Sequence, residues 1–336
     1  MSDLAVKILF MVLSTAWRSI RTLRSAPPGL AGSDNARRGV FAASLEQSEE
    51  LFTAAATVGP ASKPLLLFYG LSQAGRAIAA AHNESGTWRI LGHGLKVRNG
   101  GPSLGSAVVI PVPRKDQADA YSSVAAATHS PTLAGATTLG ALWAATPELH
   151  DAQHIAAGET RALRIALPAA HSSMLGSMLE PAQGSVVVAG EATEVALASI
   201  LNRYARTEGY QLVGDVTPVT PGTCSALLHW PAEPSVMATP GTKAFRSIHS
   251  IADYVDGSWF LQPRLGDPPS APSRLLVWWA LLIALSSLAR YHPSSWTAAL
   301  DVDRSPMTVE LEDGLRIAER RVPELIAHAL RGPDET

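Results

Sequence analysis

The run from Leu275 to Ala289 carries no charge and is closed at each end by an arginine, Arg274 and Arg290. It falls short of the roughly 20 apolar residues that cross a bilayer, so its apolar surface has to be covered by other parts of the same chain. With two tryptophans and seven leucines or isoleucines on all sides, LLVWWALLIALSSLARY predicts a fully buried helix that other helices surround. A fold for this chain therefore needs a helical core.

Charge narrows the classes of function. Lys plus Arg is 27 and Asp plus Glu is 29, a formal charge of −2. Such a chain is not built to coat nucleic acid, and a polyanion has to meet a local patch. Cys224 is the single cysteine, which excludes an intramolecular disulfide and Cys-rich metal ligation, and the simplest address is the cytoplasm. The opening MSDLAVKILFMVLSTAW has Asp3 where a signal peptide carries basic residues and Lys7 inside its apolar run, so it reads as a helix of the mature protein. No membrane association is expected.

Helical periodicity covers residues 4 to 24, with Arg18, Arg21 and Arg24 as a basic stripe, and then about Ala36 to Thr57 behind Asp34 as N-cap. Gly59-Pro60 ends that helix. Ser62 is the expected cap of a third, which has Pro64 in its first turn and runs to Asn83; the two form an antiparallel pair. From about residue 100 the texture changes to short β-branched runs, AVVIPV, RALRIAL, SVVVAG, YQLVGDV, SALLHW and WFLQP, with one helix near Thr193 to Thr207. Helix returns after Pro272, stops at Pro293, and ends with an amphipathic stretch from Glu310 to Leu330 that contains Pro323. These changes divide the chain into a helical part (1–99), a central α+β segment (100–267) and a C-terminal helical part (268–336) that packs back on the first.

The sequence has no phosphate-binding GxxxxGK[ST], no GxGxxG after a strand, no HExxH and no GxSxG, which removes P-loop enzymes, zincins and ordinary α/β hydrolases. His150 and His154 stand at i, i+4 beside Asp151, but a solvated loop accounts for them better than a metal, and no metal or cofactor is expected. The segment that stands out is LFYGLSQAGRAIAAAH followed by GHGLKV: Tyr69, Arg76 and His82 on one helix and His93 beyond a turn. Gly70 and Gly75 each cost that helix about 1 kcal/mol relative to alanine, which implies close packing or a backbone that must stay bare.

Six steps of helix rotate about 240°, so Arg76 and His82 face apart, whereas the chain at His93 can fold back beside Arg76. A guanidinium and a neutral imidazole suffice for metal-free RNA cleavage: one group offsets charge on the phosphorane and the other removes the 2′-hydroxyl proton. A structural ion pair or cap is the plainer account of the same residues. At the C-terminal end Arg290, Tyr291, His292, Pro293 and Trp296 read as a helix stop, and Arg290 and His292 as a second source of cationic side chains for the same site. Near the N-terminus Arg37 and Arg38 add to Lys7 and the arginine stripe as a patch for a phosphate ligand.

The run LFYGLSQAGRAIAAA with GHGL, together with LLVWWALLIALSSLARYHPSSW, resembles the YaaC-like family of bacterial proteins from about Trp17 to Leu330. Residues 36 to 98 also resemble the HEPN superfamily, helical domains with a tyrosine-bearing helix, an arginine and a following histidine, many of them toxin or defence ribonucleases. The resemblance implies an α+β protein in which N- and C-terminal helices form a HEPN-like bundle with an inserted small mixed β-sheet subdomain. It also implies a bacterial homo-oligomer, a dimer, that acts on RNA as a metal-independent endoribonuclease of a toxin or phage-defence system. Arg76 would match the HEPN arginine, His93 or His82 its histidine, and Tyr69 would orient the phosphate; Arg290, His292, Arg37 and Arg38 would bind substrate. Ala77 stands where active members carry a polar residue. The alternative is therefore a non-catalytic module that binds and dimerises with a protein or nucleotide partner.

Overall fold

The computed structural model describes residues 16–85, 88–99, 101, 103–112, 119–167, 182–231 and 248–332. Residues 4–15 of the expected first helix, with Lys7, lie outside them. The chain is an α+β protein that divides into two compact units: residues 1–143, 151–159 and 265–336 in one, 144–150 and 160–264 in the other. The first unit continues past the change of texture at residue 100, because a small sheet belongs with the helices.

In the first unit, helix α1 (residues 16–25) buries Trp17 and Ile20, and its Trp17 ring meets Phe52 at 5.5 Å. After the short α2 (Gly29–Ser33), helix α3 (Asn35–Thr57) starts where Asp34 accepts hydrogen bonds from the Ala36 and Arg37 amides. That is the expected N-cap. Helix α4 (Lys63–His82) has Pro64 in its first turn, but Ser62 makes no side-chain cap; the Gly59 carbonyl accepts from the Ser62 and Lys63 amides instead. Arg37 reaches Ala80 and Ser48 reaches Gly70, so α3 and α4 run antiparallel.

Strands β1 (Leu95–Arg98), β2 (Val108–Pro111) and β3 (Thr137–Thr138) make an antiparallel sheet, with helix α5 (Ala120–Ala127) between β2 and β3 and α6 (Leu139–Ala144) after β3. The apolar run is helix α8 (Arg274–Tyr291), counted after α7 of the second unit. Long and apolar enough to cross a membrane by composition, it is 72% buried, and it packs against α4, α5, β1, β2, α9 (Pro293–Ala299) and α10 (Thr308–Arg331). Pro293 does not end helical structure there; it occupies the first turn of α9, a turn whose N–H groups need no helical partner.

The second unit is built on an antiparallel sheet in the order β6 (Gln211–Leu212), β8 (Thr223–His229), β5 (Gln183–Ala189), β4 (Leu163–Ala166), β10 (Ser258–Leu261), β9 (Asp253–Val255), with β7 (Thr217–Thr220) also on β8. Among the described residues its pairings are all antiparallel, so the expected mixed sheet is corrected, as is its small size: seven described strands join in it. Alternation decides its faces: Gly184, Val186 and Val188 point into a core with Cys224, Ala226 and Leu228, while Val187 and Ala189 point out. Helix α7 (Glu194–Leu201), capped by Thr193, covers that core with Leu197 and Leu201 and ends six residues earlier than its periodicity suggests.

Candidate functional site

The two glycines of α4 have a packing reason. A Cβ on Gly70 would lie 2.7 Å from the Phe52 ring, and one on Gly75 would meet Trp279 of α8. Large rings from two neighbouring helices thus seat in notches that only glycine leaves, and contact across those rings offsets the helix cost of about 1 kcal/mol each. Packing on all sides fixes the rotation of α4 and so the directions of Tyr69 and Arg76.

His93 is placed by its two glycine neighbours. Gly92 and Gly94 have φ of +99° and +80°, a conformation side chains disfavour. The Gly-His-Gly turn is then tied down by its carbonyls: Gly92 and His93 accept from the Ala120 and Tyr121 amides at the start of α5, and Gly94 from Val112. Gly94 also lies against the carboxylate of Asp119, which is buried and caps α5 through the Ser122 amide at 2.8 Å. The glycines on either side of His93 are the sequence signal of a fixed turn.

The turn brings the His93 ring edge-on to Phe68 at 5.2 Å. Arg76, half-buried, donates to the Ile90 carbonyl of the same loop at 3.2 Å. Arg290, at the exposed end of α8, donates to the Tyr69 hydroxyl at 3.0 Å, and its guanidinium carbon sits 5.0 Å from the centre of the Tyr291 ring. The fold therefore joins Tyr69, Arg76, His93 and Arg290 from two helices and a loop. Burial, then the cations Arg76 and Arg290, hold the His93 pKa below its ordinary value. Among the described residues no side chain hydrogen-bonds either of its ring nitrogens. An imidazole whose protonated form is disfavoured beside two guanidiniums has the chemistry of a base, and the guanidiniums that of anion binders.

The other residues singled out in the sequence stand elsewhere. His82 donates from Nε2 to the Leu330 carbonyl at 2.8 Å, closing the last turn of α10. Arg37 is 8% exposed and donates to the Ala80 and Asn83 carbonyls, at 3.1 and 2.9 Å, with Trp88 stacked on its guanidinium. It is a buried cap on α4, not an open surface for substrate. Arg38 is exposed and donates to the Gly32 carbonyl. His292, half-buried between α8 and α9, bonds through its backbone to Leu288 and Trp296. In the basic stripe, Arg21 pairs with Glu49 and Arg24 with Glu46, so two of its three charges are answered by α3.

The i, i+4 histidines do not converge: His150 Nδ1 donates to the Pro147 carbonyl, and His154 Nδ1 meets Glu310. Among the described residues no three His, Cys, Asp or Glu side chains stand close enough to hold a metal. In the second unit, an open cleft beside Gly190, Pro218, Thr220 and Gly222 has Glu191 as its one charged residue.

The molecule is thus an α+β protein whose helical unit presents a histidine between two arginines. Its chain belongs to the YaaC-like protein family, whose model matches residues 16–330. No curated protein and no solved structure matches it significantly.

Proposed function

We infer that this protein is a HEPN-related bacterial protein that binds RNA at Tyr69, Arg76, His93 and Arg290 and cleaves it without a metal. The observation that carries this reading is the company of His93: two guanidiniums and a tyrosine hydroxyl, with its proton affinity lowered by burial and by those cations. Neutral His93 would take the 2′-hydroxyl proton, and the 2′-oxygen would attack phosphorus. Arg76 and Arg290 would offset the charge that grows on the phosphorane during that attack; the bond to the 5′-oxygen would then break, leaving a 2′,3′-cyclic phosphate, and protonated His93 would return its proton to the 5′-oxygen. Tyr69 accepts from Arg290 and keeps its own O–H to donate to a phosphoryl oxygen. The helices around α4 and α8 would be the HEPN-like bundle, in a homo-oligomer acting in the cytoplasm within toxin or phage defence.

The second reading is a binding module that holds a phosphate-bearing or protein partner and does not cut. Ala77 favours it: that side chain is fully buried, so the position after the arginine supplies packing and no polar group. One experiment separates the two. Wild type, Arg76→Ala and His93→Ala are expressed in bacteria, with and without phage, and RNA is examined for new cyclic-phosphate ends. Cleavage by wild type, lost in both folded variants, is expected; intact RNA in every condition leaves the binding module.

A further inference from the structure

Arg290 touches two tyrosines at once. Its Nη1 donates to the Tyr69 hydroxyl, inside the cluster, while its guanidinium lies over the ring of Tyr291, outside it. Tyr291 is 64% exposed, although it closes a helix whose other aromatic residues, Trp278 and Trp279, are buried. That ring is set apart from other exposed side chains by the Arg290 guanidinium at its face, which joins it to the cluster. With the cation held at one face, most of the ring remains open, and a flat π-system can stack there. Leu91, two residues before His93, is 58% exposed and adds a second apolar side chain to the loop that carries the histidine.

We propose that Tyr291 is a stacking platform for a nucleobase, so that the cluster takes an unpaired nucleotide, its phosphate at Arg76 and Arg290 and its base on Tyr291. This rests on the anion site proposed above and names the form of its ligand. A base inside a duplex has both faces covered by its neighbours and offers none to the ring, so the site would select single-stranded RNA. The requirement is a planar base of any identity, because stacking uses a face that every base has.

The test is calorimetric titration of the full chain with inorganic phosphate, ribose 5-phosphate and AMP, for wild type, Tyr291→Leu and Tyr291→Phe. Wild type is expected to bind AMP about tenfold more tightly than ribose 5-phosphate, the size that stacking of one base supports. Tyr291→Leu would bind the two equally, and Tyr291→Phe would keep the preference. Equal binding of AMP and ribose 5-phosphate by wild type, or a preference that survives in Tyr291→Leu, overturns the platform and leaves the anion site standing. If wild type binds none of the three at millimolar concentration, the anion site itself fails and the platform with it.

Discussion

An arginine and a histidine stand on or against helix α4 at two places, Arg37 of α3 with His82 and Arg76 with His93 of the following loop, and the two differ in what their polar atoms meet. At its C-terminal end Arg37 and His82 spend their donors on carbonyls of Ala80, Asn83 and Leu330, the groups that helix ends leave without partners. Farther along it Arg76 and His93, with Arg290, leave an imidazole without a hydrogen-bond partner among the described residues and with two cations close enough to lower its pKa. The same residue types thus close helix ends at one place and, at the other, form the cluster proposed to bind a ligand. What separates them is the imidazole: the Leu330 carbonyl takes the ring N–H of His82, whereas among the described residues no carbonyl bonds the His93 ring.

Substitutions can sharpen that contrast. The largest effect is expected from Gly94→Ala, which combines a left-handed φ with a clash at the Asp119 carboxylate, and a loss of about 3 kcal/mol by chemical denaturation is expected. The His93 turn would be displaced with it. Arg37→Met, which strips a buried cap, should cost about 2 to 3 kcal/mol while the His93 titration, followed by NMR, stays in place. Arg76→Met should cost only about 1 kcal/mol and raise the His93 pKa, since one of the two cations that lower it is gone. If Arg37→Met moves that titration as much as Arg76→Met does, the two ends of α4 are one electrostatic system and the contrast breaks.

A smaller effect is expected from pH. The folded-state pKa of His93 is lowered, so as pH falls the unfolded chain takes up its proton first, and stability declines through and below about 6.5. Above that range this contribution is constant. His328, lowered by burial and by Arg331 and Arg274, acts in the same direction. A His93→Gln variant should show a shallower decline than wild type, and an unchanged slope would remove His93 as a source. Smallest of all, Arg24→Ala should change stability by about 0 to 1 kcal/mol, because its pair with Glu46 is a surface pair.

Much of this fold was legible. Asp34 as a cap, Pro64 in a first turn, the core run after Arg274 and the alternation of β5 and β8 all follow from interactions within a few residues. The Gly-His-Gly turn was legible as well, since only glycine takes those φ values at little cost. Boundaries were harder: α7 ends early although Ile200, Leu201 and Tyr204 continue its spacing, because chain beyond it is drawn into backbone bonds with Gln262 and Arg264.

The sequence by itself determined the long helices and the alternating strands, and that an arginine and a histidine could meet near Gly92, because capping, periodicity and glycine conformations are local; helices α5 and α6, inside the stretch expected to hold one helix near Thr193 to Thr207, were not anticipated. Only the tertiary structure decided which arginine is which. Arg290 reaches Tyr69 across 221 positions of chain, and Arg37 disappears into the end of α4 across 43. The physical reason is that a guanidinium takes its partners from whatever the packed helices place beside it: two carbonyls at the end of α4 for Arg37, one loop carbonyl for Arg76, a tyrosine hydroxyl for Arg290.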